Sequence, residues 1–165
     1  MTDSERKKII QRLLARVSTG LSFVEFEYLA RHKNPDAAWI RNIYILLSFY
    51  TELLLKAIFI VKNHFKNLTE LDEKLKKLGH NLEMIGSEIK KGEPSYFGIK
   101  SIHLKNHEYC VATDEGSFYV KDFNDIRYDF LDGMVRTLNG NEHDMLKKQI
   151  EIMFKIIKKL KPLAW

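Results

Sequence analysis

Residues 36–65 form the longest apolar stretch of the chain and predict one long helix with apolar side chains on nearly every side. A helix of this kind must be covered on most of its faces, so we expect it at the centre of a helical bundle. A membrane span is the alternative. However, Arg41, Glu52 and Lys56 interrupt the stretch, and placing such charges in a bilayer is costly. The sequence therefore favours a central bundle helix and predicts no membrane association.

A narrow polar stripe follows this predicted helix. At about 100° per residue, its members fall on one side of the helix: Arg41, Ser48, Glu52, Lys56 and Asn63. Two interpretations remain open. The stripe is either a solvent-facing edge with Glu52 and Lys56 as an i,i+4 ion pair, or it faces an internal groove where buried charges must find partners.

Helical periodicity extends over most of the remaining chain. It predicts five helices, over residues 4–14, 68–78, 82 to about 90, 124–138, and 143 or 144 to 160. Pro162 is expected to end the last of them. Ser18-Thr19-Gly20 is expected to break the first helix before a short apolar piece over residues 21–29, and Asn34-Pro35 to separate that piece from the central helix.

The pattern changes between residues 99 and 123, where apolar and polar side chains alternate as in strands. Asn106-His107 and Asp114-Glu115-Gly116 are suitable turns, which gives an antiparallel hairpin or three-stranded meander. The predicted fold is therefore mainly α, an up-and-down helical bundle with a small β insertion. The length of 165 residues suits one domain over 1–165, with the insertion at about 99–123.

Composition narrows the setting and the partners. A single cysteine, Cys110, cannot form an internal disulfide or a zinc cluster, and the charged N-terminal residues do not resemble a signal peptide. We therefore expect a cytoplasmic protein with no metal site and no cofactor. The formal net charge of +5 is compatible with a polyanionic partner.

Three short segments resemble the HEPN family of small helical-bundle proteins in their order along the chain. They are Glu52-Leu53-Leu54-Leu55-Lys56-Ala57, Gly79-His80-Asn81-Leu82 and Phe123-Asn124-Asp125-Ile126-Arg127-Tyr128. The resemblance covers residues 36–160. It implies a homodimer that binds a nucleotide, RNA or a partner protein, commonly beside a nucleotidyltransferase-like protein in bacterial toxin and antitoxin or defence systems.

The residues of these segments have suitable chemistry for such a ligand, and we expect a groove lined by Glu52, Lys56, His80, Arg127 and Tyr128. A guanidinium holds phosphate through paired hydrogen bonds, and a tyrosine ring stacks on bases. Glu52 would orient Arg127. Alternatively, Glu52 and Arg127 form a structural ion pair between helices, and the protein is a helical dimerisation protein.

A second alternative is a metal-independent ribonuclease. Ribonuclease members of the family use an arginine followed, after four to six residues, by a histidine, because cleavage without metal needs an acid-base group beside a phosphate-stabilising cation. No histidine follows Arg127 at that spacing, and only Arg136 and His143 satisfy it. Asn139-Gly140 lies between them and interrupts the helix that would present both.

Overall fold

The computed structural model of the protein describes residues 1–31, 33, 36–122 and 140–165. These residues form five helices and three strands: α1 (Asp3–Arg31), α2 (Ala37–Lys62), α3 (Leu68–Leu78), α4 (Leu82–Lys90), β1 (Ile99–Lys105), β2 (Glu108–Thr113), β3 (Gly116–Lys121) and α5 (Gly140–Ala164). The prediction of a mainly helical fold with a small β insertion is confirmed. The predicted helix over 124–138 and the Asn34-Pro35 boundary lie outside the described residues.

The first helix is longer than predicted. The expected break at Ser18-Thr19-Gly20 is wrong, since α1 continues through these residues to Arg31 and includes the apolar piece over 21–29. Gly20 is buried, and a Cβ at this position would overlap the ring of Tyr50 in α2. The glycine therefore lets α1 approach α2 closely rather than ending the helix.

Helix α2 is the predicted central helix. Asp36 is its N-cap, and the Asp36 side chain accepts a hydrogen bond from the Trp39 backbone N–H. By length and composition, Ala38–Lys62 could cross a membrane, with a mean hydropathy of 1.8, yet 61% of its most apolar window is buried inside the fold. The core helix of a soluble protein passes the same test, so this is weak evidence for a span.

Helices α3 and α4 have the predicted positions and are joined by a tight corner. Gly79 ends α3 with φ of 55°, a conformation that favours glycine, and its N–H bonds the carbonyls of Leu75 and Lys76. Asn81 is the N-cap of α4 and accepts a hydrogen bond from the Met84 N–H. His80 lies between these two caps.

The three strands form an antiparallel meander in the order β1-β2-β3. Asn106 and His107 both have positive φ, as the two central residues of a tight hairpin turn of type I′ require, so the predicted turn is confirmed. Alternate residues of β2 are buried, namely Tyr109, Val111 and Thr113. The other face of β2 is more accessible, as expected for a sheet that covers a helical core on one side.

Contacts between side chains give the directions of the long helices. Gln11 and Tyr28 of α1 reach Ala164 and His143 of α5, so these helices are antiparallel. Tyr44 and Thr51 of α2 face Glu142 and Gln149 of α5, so these two are parallel. The last helix begins at Gly140, earlier than predicted, and continues past Pro162 to Ala164. The expectation that Pro162 ends it is therefore wrong. A proline in the last turn removes only one intrahelical hydrogen bond, so the helix can continue to Ala164.

Replacement of Gly20 by alanine tests the close approach of α1 and α2. We expect Gly20→Ala to destabilise the protein by about 1–3 kcal/mol, because the added methyl group overpacks the Tyr50 ring. In a Tyr50→Ala background the same change should instead stabilise by about 0.5–1 kcal/mol, the helix preference of alanine over glycine. Urea unfolding of the four proteins measures both effects, and equal effects in the two backgrounds would contradict the contact.

Candidate functional site

A buried carboxylate joins the central helix to the α3–α4 corner. The Glu52 side chain in α2 is only 5% exposed, and its Oε1 accepts a hydrogen bond from the Lys56 Nζ at 2.6 Å. The other oxygen, Oε2, lies 2.8 Å from the His80 Nδ1. The two carboxylate oxygens thus have different partners, one from the same helix and one from a distant part of the chain.

This arrangement decides between the two interpretations of the polar stripe. Ser48 and Glu52 are buried, and Lys56 is 15% exposed, so a solvent-facing edge is wrong for this part of α2. The i,i+4 pair of Glu52 and Lys56 was predicted and is confirmed. This part of the stripe faces the interior, and the Glu52 charge is compensated there by Lys56, as a buried charge requires.

His80 is the accessible member of the trio that Glu52, Lys56 and His80 form, which we call the Glu52 cluster. Half of its side-chain surface is exposed, whereas the carboxylate beneath it is buried. A histidine whose Nδ1 donates to a carboxylate has a fixed ring orientation, and its Nε2 points away from that carboxylate. When the imidazole is protonated, the cluster has a net charge of +1, because Glu52 and Lys56 cancel.

His80 does not cap the start of α4. Asn81 is the N-cap, and its side-chain oxygen already takes the Met84 amide. His80 precedes the cap and points to Glu52 instead. Any contribution of this corner to ligand binding therefore comes from the imidazole and from Lys56, with Lys77 of the last α3 turn close in sequence.

The predicted site residues fall into three groups: those that meet in the Glu52 cluster, those outside the described residues, and His143. Glu52, Lys56 and His80 are brought together, so two of the three segments that resemble the HEPN family meet in space. Arg127, Tyr128 and Arg136 lie outside the described residues, so the predicted pairing of Glu52 with Arg127 stays a prediction.

His143 lies in the first turns of α5, against α1. The Tyr28 hydroxyl is 3.1 Å from the His143 Nδ1 and donates to the His143 carbonyl oxygen, and the two rings are in contact. The adjacent Glu142 faces Tyr44, which is about 12 Å before Glu52 along α2. His143 is thus placed at another level of the bundle from the Glu52 cluster.

Sequence reasoning missed a pocket of about 270 Å³ between α2, β3 and α5. Tyr44, Tyr119 and Gln149 line it, and Lys121 lies over the Tyr44 ring and pairs with Glu108. The one available signal was Gln149, a polar residue within the apolar face of α5, which is buried and donates a hydrogen bond to Thr51.

Comparison of the chain with protein-family models, with curated proteins and with solved structures gives no match.

The Glu52–Lys56 pair can be tested through stability. We expect Glu52→Gln to destabilise the protein by about 3–5 kcal/mol, because it leaves the largely buried Lys56 ammonium without its counter-charge. The double variant Glu52→Gln/Lys56→Met should recover most of this loss. The control is Asp72→Asn, which breaks the exposed i,i+4 pair with Lys76 and should cost at most about 1 kcal/mol. A double variant as unstable as Glu52→Gln would show that the ion pair is not the source of the loss.

Tyr28 predicts a pH effect at alkaline pH. Burial, and then the nearby Asp144 carboxylate, raise the pKa of the Tyr28 phenol above its usual value. Its neutral form is favoured in the folded state, so its contribution to stability is complete below the unfolded pKa of about 10 and is lost as the pH rises from there through the higher pKa of the folded state. Between about pH 9 and 11, a range that brackets the unfolded pKa, the free energy of unfolding should decrease with pH. The decrease should be smaller in Tyr28→Phe than in the unchanged protein. Parallel curves would contradict this role.

Proposed function

We propose that this chain is a HEPN-like domain that binds a nucleotide or RNA through the Glu52 cluster. The observation that carries the proposal is the buried Glu52 carboxylate, which holds the half-exposed His80 imidazole and the Lys56 ammonium side by side. An ammonium group and an imidazole that share one carboxylate are suited to the oxygens of a phosphate, because the Lys56 ammonium can make a charge-assisted hydrogen bond, which is the stronger kind. Each donor is oriented before the ligand arrives, which lowers the entropy cost of binding.

The sequence resemblance supports the same ligand class. Glu52 and Lys56 belong to the first of its three segments and His80 to the second, and these segments meet at the cluster. The proposal includes Arg127 and Tyr128 as further contacts to phosphate and base. It also includes a cytoplasmic homodimer that acts beside a nucleotidyltransferase-like partner, as an accessory, toxin or antitoxin component.

The ribonuclease alternative assigns acid-base chemistry to Arg136 and His143. His143 contacts Tyr28 through its Nδ1 and ring face, which orients the imidazole as a catalytic histidine would need, but the same contact also serves packing of α1 on α5. We therefore keep ligand binding as the main proposal. Incubation with RNA in EDTA, with His143→Ala beside the unchanged protein, distinguishes the two, because cleavage that the variant loses would favour the enzyme.

Affinity for a labelled single-stranded RNA oligonucleotide, measured by fluorescence anisotropy with ATP as a competitor, tests the proposal. His80→Ala should weaken RNA binding about 10- to 100-fold, the effect of losing one hydrogen bond to a charged group of about 1.5–3 kcal/mol. The matched control is His64→Ala, the same change at an exposed position just after α2.

The stability of the same variants separates a binding role from a structural one. Because half of the His80 side chain is exposed, His80→Ala should lower the free energy of unfolding by no more than about 1–2 kcal/mol. Equal RNA affinity of His80→Ala and His64→Ala would refute the binding role. A large loss of stability with unchanged affinity would instead support the helical dimerisation protein.

A further inference from the structure

The second part of α5 is strongly basic, whereas its first turns contain Glu142 and Asp144. From Leu146 onward α5 contains six lysines and a single acidic residue, Glu151. The whole chain has 27 basic residues (Lys and Arg) and 22 acidic residues (Asp and Glu). Without these six lysines and Glu151, 21 basic and 21 acidic residues remain. The rest of the chain is formally neutral, and the excess of +5 belongs to the second part of α5.

All six lysines are exposed, while the opposite side of α5 is packed into the core through residues such as Ile150, Met153 and Ile157. The lysine face consists of Lys147, Lys148, Lys155, Lys158, Lys159 and Lys161. Because the helix is fixed by its apolar side, these charges stay on one surface and their potentials add there.

The β2–β3 turn organises part of this face. The Glu115 carboxylate accepts hydrogen bonds from Lys155 at 2.9 Å and Lys159 at 3.4 Å, which are one helical turn apart. These two bonds, the Lys155 bond first, lower the pKa of Glu115, so the carboxylate is ionised at neutral pH. Lys148 covers Gly116 in the same turn, where a Cβ would be 2.9 Å from its Nζ. The Glu115 carboxylate thus orients two lysines of the face, Lys155 and Lys159, and one negative charge balances only part of theirs.

An exposed aromatic ring lies on β3, the strand that packs against α5. Tyr119 of β3 is 47% exposed. It lines the pocket together with Met145 and Gln149 of α5, and Gln149 follows Lys148 in the sequence. Proteins that bind single-stranded nucleic acids combine a cationic track for the backbone with aromatic rings on which bases stack. The lysine face and Tyr119 offer both components on adjacent elements.

We propose that the lysine face of α5 binds the phosphate backbone of single-stranded RNA, and that Tyr119 stacks on one of its bases. The proposal takes its ligand class from the proposed function but assigns it to residues other than those of the Glu52 cluster. An anionic membrane is the competing partner. A membrane-binding helix needs an apolar face available for insertion, whereas Ile150, Ile157 and Leu160 of α5 are buried in the core and the exposed Leu163 lies only in its last turn.

The salt dependence of RNA binding tests the lysine face. The triple variant Lys147→Gln/Lys158→Gln/Lys161→Gln removes exposed charges, and the control Lys7→Gln/Lys8→Gln/Lys91→Gln makes the same change in net charge elsewhere on the surface. The slope of log affinity against log salt concentration should fall by about 0.7 for each lysine that contacts a phosphate, which is roughly 2 in the triple variant. The control slope should not change. Equal losses in the two variants would overturn the proposal, since net charge alone would then explain binding.

Two further variants test the organisation of the surface. Glu115→Gln should tighten RNA binding, because it removes the carboxylate that competes with phosphate for Lys155 and Lys159. Tyr119→Ala should weaken it about tenfold, within the range of roughly 1–3 kcal/mol for one stacked base, and Tyr119→Phe should restore it. Weaker binding by Glu115→Gln, or no difference between the two Tyr119 variants, would contradict the arrangement.

Vesicles containing phosphatidylglycerol, without RNA, distinguish the membrane alternative. Vesicle binding that the triple variant loses, together with RNA binding that it retains, would overturn the proposal in favour of a membrane surface. Failure of the Glu52 cluster is recognised separately. If His80→Ala binds RNA normally while the triple variant does not, the proposed function of the Glu52 cluster fails and the lysine face remains the RNA-binding surface. If the triple variant binds RNA normally while His80→Ala does not, the proposal for the lysine face fails and the Glu52 cluster remains.

Discussion

Burial of α2 is the constraint on which the remaining architecture depends. Its side chains are apolar on nearly every side, so no single neighbour can cover it, and α1, α4, β3 and α5 each pack against a different part. The same neighbours also cover part of the polar stripe of α2. Buried polar side chains of α2 therefore bond inside the bundle: Thr51 accepts a hydrogen bond from Gln149, and Glu52 binds Lys56 and His80.

The Glu52 cluster is a costly way to stabilise a fold. A carboxylate and an ammonium group taken from water lose hydration that their mutual attraction only partly returns, and apolar residues of similar size often stabilise a core equally well. A structural role would need only the internal pair of Glu52 and Lys56. The half-exposed His80 adds a contact between distant parts of the chain and places a polar ring at the surface, which an interior ion pair does not require. This difference favours a binding role over a purely structural one.

Local patterns predicted much of this fold because local physics determines those features. The central helix from about Asp36, the helix over 68–78, the turn at Asn106-His107 and the i,i+4 pair of Glu52 and Lys56 each depend on residues a few positions apart. The contact of His80 with Glu52 joins residues 28 positions apart, and neither neighbourhood specifies it. Gly20 was misread for the same reason: whether a glycine ends a helix or admits a neighbour depends on what packs there, and Tyr50 is far away in sequence.

The two cationic features of the molecule act over different distances. The Glu52 cluster is compensated internally, so its effect on a ligand depends on hydrogen bonds that reach only across direct contact. The six lysines of α5 are exposed and outnumber the Glu115 carboxylate that bonds two of them, so their potential extends about one Debye length, roughly 8 Å at physiological salt, and speeds the encounter with an anion. A mononucleotide is too small to gain from both. A polymer that is held along α5 and placed by one phosphate or base in the cluster would gain from each, which makes RNA a better match to this charge distribution than a free nucleotide.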